Sequence, residues 1–215
     1  MTTTGTPSRM PRAQRRAQLI RVATDVFAQS GYHMASMDEV ASAAGVSKPV
    51  LYQHFASKKD LYIAVVDTAA CMLDEVLRPA LDLPDHRQRT EVAVAELLRF
   101  VSEHPAEYLT LHFRDNYEDE VRDRVTQSRN LFAERIAHVF SDAVGLPSTW
   151  AGSLGAVVVG MVDSAGLYLQ ENPQLDLEEY TAFVTTVLWN GLSAIYAGGG
   201  TGTATDGVGP PTAVE

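Results

Sequence analysis

Residues 36–62, which read SMDEVASAAGVSKPVLYQHFASKKDLY, carry closely spaced signals for short helices. Ser36 and Glu39 fit a capping box, in which each side chain satisfies a free backbone N–H at a helix start. Gly45 lies where a turn requires a positive φ, which glycine adopts without a Cβ penalty. Ser47 then fits the N-cap of a second helix. The segment therefore predicts two short helices joined by a glycine turn and followed by the start of a third.

The second of these helices has an apolar stripe along one side. Val46, Leu51 and Phe55 supply this side and are expected to pack in a core. A short helix with a polar outer face of this kind suits the major groove of DNA. The outer face consists of Lys48, Pro49, Val50, Tyr52, Gln53 and His54.

Composition excludes several other classes of protein. The chain has 215 residues, 46% of them hydrophobic, which is enough for one or two domains with a substantial core. No apolar run approaches the length of about 18–20 residues that spans a membrane, and the polar N-terminus has no secretory h-region. Cys71 is the only cysteine, which excludes an internal disulfide and a CxxC metal site. These features predict a cytoplasmic protein without a membrane partner.

The charge of the chain is distributed unevenly. Residues 1–60 hold eight Lys/Arg and four Asp/Glu, a balance of +4, whereas the remaining residues hold 9 and 23, a balance of −14. A basic N-terminal part on an acidic protein fits a nucleic-acid-binding head on a separate body.

The helical patterns continue along the whole chain, and no alternating strand pattern interrupts them. The predicted fold class is all-α, with an N-terminal helix-turn-helix DNA-binding domain and a C-terminal helical ligand-binding and dimerisation domain. The helices are expected at about 12–29, in the two motif segments, from 57 to Arg78 with Pro79 as the stop, and at about 88–103, 106–114, 118–143, 148–170 and 176–197. The expected divisions are a disordered arm at 1–10, the DNA-binding domain at 11–56, the effector-binding and dimerisation domain at 57–197, and a disordered Gly/Thr/Pro-rich tail at 198–215.

The VSKxxLYxHFxSKxxL pattern within residues 36–62 resembles the DNA-binding signature of TetR-type transcriptional regulators. The resemblance begins near Arg15, covers about 50 residues and is only architectural beyond Tyr62. It implies a DNA-binding head and a divergent body that binds a ligand and a partner subunit. Pro49 departs from the small residue that the family often has there, which puts the first-turn DNA contacts in question.

Several side chains of the head are candidates for DNA contacts. Lys48 can reach a guanine edge or a phosphate, while Pro49 and Val50 can touch thymine methyl groups. Tyr52 and His54 resemble family positions that hydrogen-bond to the DNA backbone, and Gln53 can do either. The candidates for phosphate contacts at helix starts are Ser36, Ser47, Lys58 and Lys59. Arg12, Arg15 and Arg16 form either a mobile arm on phosphates or a solvated helix end, and the two serines can also act only as caps.

The last two long helices predict a homodimer. The helix near 148–170 is apolar almost all round from Leu154 to Val162, and the helix near 176–197 repeats apolar residues at helical spacing. A helix that is apolar on every side must be covered on every side, which a four-helix interface between two subunits provides. An internal core in a monomer is the alternative.

The middle of the chain offers candidates for an effector pocket that is mostly apolar with a few polar groups. Asp163 interrupts an apolar run, so its carboxylate needs a partner, which can be a subunit contact or a ligand unless it lies at an exposed rim. The candidate residues are Phe100, His104, Tyr108, His112, Phe113, Tyr117 and Asp163. They do not form a convincing metal site, and no cofactor is expected.

The sequence thus predicts a ligand-responsive transcriptional repressor that binds a near-palindromic operator and is released by a small apolar or acyl-type effector. A transcriptional activator, or a DNA-binding regulator without a small-molecule effector, is the alternative. An enzyme is not expected, because the chain has no nucleophile–base pair, P-loop or dinucleotide fingerprint. The effector, the operator and the regulated genes are not identified by the sequence.

Overall fold

The computed structural model describes residues 10–112, 119–144 and 146–198, which form helices and no strand. The helices are α1 (Arg12–Met34), α2 (Met37–Ala43), α3 (Lys48–Tyr52), α4 (Lys58–Leu81), α5 (His86–Glu103), α6 (Pro105–His112), α7 (Asp119–Val144), α8 (Ser148–Glu171) and α9 (Leu177–Gly198). The predicted all-α fold class is confirmed. Of the two segments predicted to be disordered, residues 1–9 and 199–215 lie outside the described residues.

Helices α1 to α3 and the first turns of α4 form an N-terminal head around three aromatic side chains. Phe27, Tyr32 and Tyr62 are almost fully buried. The ring of Tyr62 meets the other two at steep angles, with its centroid 4.9 Å from that of Phe27 and 5.0 Å from that of Tyr32. Because Tyr62 belongs to α4, the helix that enters the body also completes the core of the head.

Serines stand at the N-cap positions of α2, α3 and α4, and two of the three make a capping hydrogen bond. Ser36 Oγ accepts from the backbone N–H of Glu39 at 3.1 Å, and Ser57 Oγ accepts from that of Asp60 at 3.0 Å. Ser47 occupies the N-cap position of α3 but makes no capping hydrogen bond with its side chain. Ser47 is exposed at the start of α3.

Two glycines in the head have the positive φ that their positions require. Gly45 has φ 65° in the turn between α2 and α3, as the sequence predicts. Gly31 has φ 71° and ψ 166°, so it interrupts α1 close to the end predicted at Gln29. Helical residues resume after Gly31 and continue to Met34, which makes α1 longer than expected.

Pro79 does not stop α4, contrary to the expectation from the sequence. The helix continues to Leu81, so Pro79 lies in its last turn. Only one helical N–H is lost at a proline, and the buried side chains of Ala80 and Leu81 stabilise the final turn by packing in the body.

The body consists of the rest of α4 together with α5 to α9, and its closest helix pair is α7 with α8. Gly155 makes this approach possible, because a Cβ on it would lie 2.3 Å from the backbone oxygen of Ala133. Gly166 has a similar role against α6, since a Cβ there would lie 2.3 Å from the hydroxyl of Tyr108. Both glycines therefore allow the close approach of neighbouring helices.

Helices α8 and α9 leave a face uncovered that we call the outer apolar face. Its large exposed side chains are Trp150, Val157, Met161, Tyr168, Phe183 and Val187. Gly160 lies on the same face, and a Cβ built on it meets no heavy atom of the described residues within 4 Å. In the described part of the chain, α8 alone has the length and hydropathy of a membrane span. Only 17% of its most apolar 18-residue stretch is buried. An apolar run of this length was not predicted from the sequence. Because little of the run is buried in the single chain, α8 has apolar surface that needs to be covered.

Candidate DNA interface and ligand cavity

The recognition helix α3 has one buried side and one exposed side. Leu51 and Phe55 are 0% and 3% exposed and hold the helix against the core of the head. The outward residues that the sequence selected are placed as expected: Lys48, Pro49, Tyr52 and Gln53 are exposed, while Val50 and His54 are half-buried. This surface presents an ammonium, a phenol, an amide and two small apolar groups, which are the groups that read base edges and bind phosphates.

Lys48 makes an ion pair across the helix-turn-helix. Its Nζ lies 2.8 Å from the carboxylate of Asp38 in α2. The hydrogen bond and the charge of Asp38 raise the pKa of Lys48, so the side chain stays cationic. Because both side chains are more than half exposed, water and salt screen the pair, and a phosphate or a guanine can replace the carboxylate.

His54 lies where α3 ends, near the start of α1. Burial, together with the charges of Arg12, Arg15 and Arg16, lowers the pKa of His54. Its Nδ1 is buried and has no hydrogen-bond partner among the described residues. The three arginines thus place positive charge close to the ring of His54.

The three arginines belong to the beginning of α1. Arg15 donates to the side chain of Gln18 at 2.6 Å, and the guanidinium of Arg16 lies 5.0 Å from the ring centroid of Phe55. The first turn of α1 contains no acidic residue, although a helix N-terminus favours negative charge. The three arginines thus form a basic helix end, and their contacts with phosphate stay a prediction.

Lys58 requires a correction to the predicted phosphate contacts. Its Nζ donates to the backbone oxygens of Tyr32 at 2.8 Å, His33 at 3.2 Å and Ala35 at 3.1 Å. The ammonium has three N–H groups, and these carbonyls use them at the end of α1. Lys58 therefore joins α4 to α1 within the head. Lys59 is also engaged, because its Nζ donates to the carboxylate of Glu120 in α7 at 2.5 Å.

A cavity of about 130 Å³ lies within the body. Most of its wall is aliphatic, with contributions from each helix from α4 to α9. The lining residues are Leu73, Leu77, Leu81, Arg89, Thr90, Ala93, Val94, Leu97, Leu111, His112, Ser128, Arg129, Phe132, Ile136, Val139, Val158, Val159, Val162, Asp163, Leu188 and Leu192. A wall of this composition suits a hydrocarbon chain.

Three ionisable side chains from three helices meet at this wall, and we call them the polar cluster. His112 of α6 lies with Nε2 2.9 Å from Asp163 Oδ1, and Arg129 of α7 donates from Nη2 to Asp163 Oδ2 at 2.5 Å. The partners that Asp163 in α8 was expected to need are thus the guanidinium of Arg129 and the ring of His112. The hydroxyl of Tyr108 adds a bond to the backbone oxygen of Asp163 at 3.1 Å. Burial, helped by the charge of Asp163, raises the pKa of Tyr108, which remains a hydrogen-bond donor.

The predicted ligand residues have different locations in the structure. His112 and Asp163 line the cavity. Phe100 and Tyr108 are buried in the core, and His104 packs on Phe100 with ring centroids 5.1 Å apart, so these three do not line it. Phe113 and Tyr117 lie outside the described residues.

Arg129 is the functional candidate that the sequence analysis missed. It lies in an amphipathic helix among other charged residues, so only its contact with Asp163 distinguishes it. No group of three or more His, Cys, Asp or Glu side chains in the described ranges could hold a metal ion.

Comparison with known proteins relates this geometry to a family. Residues 19–65 match the family described as bacterial regulatory proteins, tetR family. The chain is 36% identical over 192 residues to the HTH-type transcriptional activator FasR of Mycolicibacterium smegmatis, with 87% of each chain covered.

Solved structures share the fold over most of its length. A TetR-like transcriptional regulator from Rhodococcus sp. RHA1 superposes with a TM-score of 0.73 at 27% identity, over 86% of this chain and 99% of that one. AibR in complex with isovaleryl coenzyme A and operator DNA gives 0.68 at 21% identity, over 80% and 97%. FadR from Bacillus subtilis in complex with stearoyl-CoA gives 0.67 at 17% identity, over 80% and 96%.

The family match covers the helix-turn-helix whose exposed face was described above, and the relationship to FasR extends through the body. The members of this family are transcriptional regulators that bind DNA, and they are not enzymes, as the sequence predicted. The chain belongs to the TetR family of transcriptional regulators.

Proposed function

We propose that this protein is an acyl-responsive member of its family, in which an acyl-CoA bound in the body controls the binding of α3 to an operator. The observation that carries the proposal is the aliphatic cavity with one polar cluster in its wall. An acyl-CoA has a hydrocarbon chain for such a wall and a carbonyl oxygen for such a cluster. AibR and FadR, which share the fold, are complexed with isovaleryl coenzyme A and stearoyl-CoA, and this supports the same ligand class here.

The operator is proposed to be a near-palindrome that two copies of α3 read in successive major grooves. The exposed face of α3, with Lys48, Tyr52 and Gln53, supports direct contact with DNA. The remaining candidates from the sequence, Ser36 and Ser47 among them, stay predictions. The negative balance of the body supports an orientation in which only the head approaches the phosphates.

A homodimer through α8 and α9 is part of the proposal. The outer apolar face supports it, because exposed Trp150, Met161 and Phe183 require a partner surface in water. Ion-paired Asp163 and the packing of α8 on α7 argue for a protein partner of this face over a lipid one. The cytoplasmic location stays a prediction.

The regulator can either repress or activate transcription, and each possibility has support. The sequence predicts a repressor released by its effector. The name of FasR, which is related over most of the chain, specifies an activator, and this favours activation as the second candidate. A reporter gene behind the operator, measured with and without this protein in the same cells, distinguishes the two by whether expression falls or rises.

The test of the proposal begins with selection of operator duplexes from a random pool. Fluorescence anisotropy then measures the affinity for the selected duplex at fixed salt, with and without stearoyl-CoA or isovaleryl-CoA. We expect at least one of the two acyl-CoAs to change the affinity by about five-fold or more, while coenzyme A alone has no effect. Ligands that leave the affinity unchanged would contradict the acyl-responsive part.

A cavity-filling variant makes the test specific to the body. Ala93→Trp places an indole in the cavity wall of α5. We expect this variant to bind the operator normally and to lose the acyl-CoA response. Ser102→Trp is the control, because Ser102 is exposed on the same helix and does not line the cavity.

A further inference from the structure

The polar cluster holds one carboxylate between an imidazole and a guanidinium. Nδ1 of His112 lies 2.8 Å from the backbone oxygen of Tyr108, and Nε2 lies 2.9 Å from the carboxylate of Asp163. The other carboxylate oxygen of Asp163 accepts from Nη2 of Arg129. Both ring nitrogens of His112 and both carboxylate oxygens of Asp163 are therefore engaged within the protein.

The side chains of His112 and Asp163 are 5% and 17% exposed, and that of Arg129 is 33% exposed, so the guanidinium is only partly hydrated. A charge next to an aliphatic wall is costly unless an opposite charge or a hydrogen-bond acceptor meets it. Asp163 meets the charge of Arg129 with one carboxylate oxygen and engages His112 with the other.

The other polar groups of the cavity wall are satisfied by the protein itself. Arg89 donates from Nε and Nη2 to the backbone oxygen of Leu83 at 2.8 and 2.5 Å. The hydroxyls of Thr90 and Ser128 donate to backbone oxygens of their own helices. Arg129, by contrast, has five N–H groups, and within the described residues its recorded hydrogen bond is the one from Nη2 to Asp163. The guanidinium of Arg129 is thus the donor that a ligand can still use.

We propose that Arg129, held in place by Asp163 and His112, binds the oxygen of the acyl group of the ligand. This inference rests on the proposed function, since it concerns the same cavity and the same ligand. A thioester carbonyl and a free carboxylate share the required chemistry, because each presents an oxygen acceptor at the end of a hydrocarbon chain. The aliphatic remainder of the wall then holds the chain, and the polar cluster fixes where the chain ends.

The test compares matched thioester and thioether ligands on the wild-type protein and on Arg129→Met by isothermal titration calorimetry. One ligand is stearoyl-CoA, and the other is the octadecyl-CoA thioether, which has the same chain and coenzyme but no carbonyl oxygen. Isovaleryl-CoA and its 3-methylbutyl thioether form a second pair at short chain length. We expect wild-type protein to bind at least one thioester about tenfold or more tightly than its thioether, and Arg129→Met to bind both alike.

Two further variants control for charge and folding. Arg129→Lys retains a cation beside Asp163 without the guanidinium fork, and it is expected to retain part of the preference for the thioester. Arg99→Met removes an exposed arginine of α5 that pairs with Glu96, and it is expected to change nothing. If Arg129→Met is unfolded by circular dichroism, Arg129→Lys replaces it in the comparison, and an undiminished preference of Arg129→Lys for the thioester then contradicts the inference.

The possible results separate the inference from the proposed function. Stearate, added as a fifth ligand, identifies the source of the oxygen: binding of stearate alone, with dependence on Arg129, assigns a carboxylate. Equal affinity of the wild-type protein for thioester and thioether, with no Arg129-dependent binding of stearate, overturns the inference and leaves an acyl-responsive regulator. If none of the three ligands with an acyl oxygen binds, namely stearoyl-CoA, isovaleryl-CoA and stearate, the proposed ligand class is overturned and the inference with it.

Discussion

Two lysines at helix starts have opposite roles in this head, although the sequence presents them alike. The ammonium of Lys58 is surrounded by three backbone oxygens and lies 4.6 Å from the ring centroid of Tyr32. Lys48 instead extends into solvent and pairs with an equally exposed carboxylate. The first arrangement closes the end of α1, and the second leaves a cation that DNA can recruit. The difference depends on what the chain places opposite each ammonium, which is not a local property of the sequence.

We expect Lys48→Ala and Tyr52→Ala each to weaken operator binding without lowering the melting temperature. If Lys48 contacts a base, its loss should weaken binding by roughly five- to 150-fold and relax specificity at one position in each half-site. If it contacts only phosphate, the loss should be the same on all sequences and should reduce the salt dependence. Anisotropy at several salt concentrations measures both quantities.

Asp38→Asn is the matched control for Lys48, because it removes the ion-pair partner and retains the lysine. Its operator affinity should equal or exceed that of the wild type. Unchanged affinity in both Lys48→Ala and Tyr52→Ala would contradict the assignment of α3 to the groove.

Lys58→Met should destabilise the head. The substitution retains much of the aliphatic stem and leaves three carbonyls at the end of α1 without their donor, at a cost of about 1–3 kcal/mol in the free energy of unfolding. Urea denaturation followed by circular dichroism measures this cost. Lys59→Met is the control, because its pair with Glu120 is a surface ion pair worth about 0–1 kcal/mol. An equal loss of stability in the two variants would mean that the carbonyl contacts of Lys58 contribute nothing particular.

At the scale of the elements, the sequence predicted those helices whose ends depend on local chemistry. The caps at Ser36 and Ser57 and the turn at Gly45 involve residues within four positions of one another, so a pattern can identify them. The continuation of α4 through Pro79 depends on tertiary packing of the last turn, and local signals gave the wrong end. A helix end predicted from local signals is wrong in this way wherever the burial of side chains outweighs local helix propensity.

The candidate cavity was only partly predictable for the same reason. His112 and Asp163 were selected one by one, as a histidine in an apolar region and a carboxylate in an apolar run. Their contact joins α6 to α8 across 51 positions of the sequence, and Arg129 joins them from α7. No periodicity or spacing specifies a contact of that kind, so the cluster became visible only once the helices were packed.

The contact between α7 and α8 is tightest at Gly155, which gives a prediction about the packing of these two helices. Gly155→Ala should destabilise the body by about 1–3 kcal/mol, because the new methyl group would overlap the backbone oxygen of Ala133 and the helices would have to separate. Thermal unfolding of the purified protein measures the loss. Gly152→Ala, three residues earlier, meets no described atom within 4 Å and should be neutral or stabilising. Equal melting temperatures for the two variants would show that the helices adjust without cost.

At the scale of the whole molecule, three ion pairs join α4 to α7 along the connection between head and body. Lys59 pairs with Glu120, Asp67 with Arg124, and Asp74 with Arg135. The hydrogen bond to Asp67 raises the pKa of Arg124. Since α7 also contributes Arg129 to the cavity wall, the helix that contacts the proposed ligand is fastened to the helix that completes the head. A ligand that moves α7 therefore has a physical route to the spacing of the two heads, provided that it binds the two states unequally.

That route depends on a dimer, and the outer apolar face gives the last prediction. Val187→Asp places a carboxylate in the centre of this face at a position that is 46% exposed in the single chain, so the fold should survive. Leu188, the next residue, is unsuitable because it is buried against the cavity. We expect Val187→Asp to sediment as a monomer at micromolar concentration and to lose most of its operator affinity, because one head alone reads only one half-site. Thr68→Asp, on the exposed side of α4, should remain dimeric and bind normally. A dimeric Val187→Asp protein, or a monomeric wild type, would place the subunit contact elsewhere than α8 and α9.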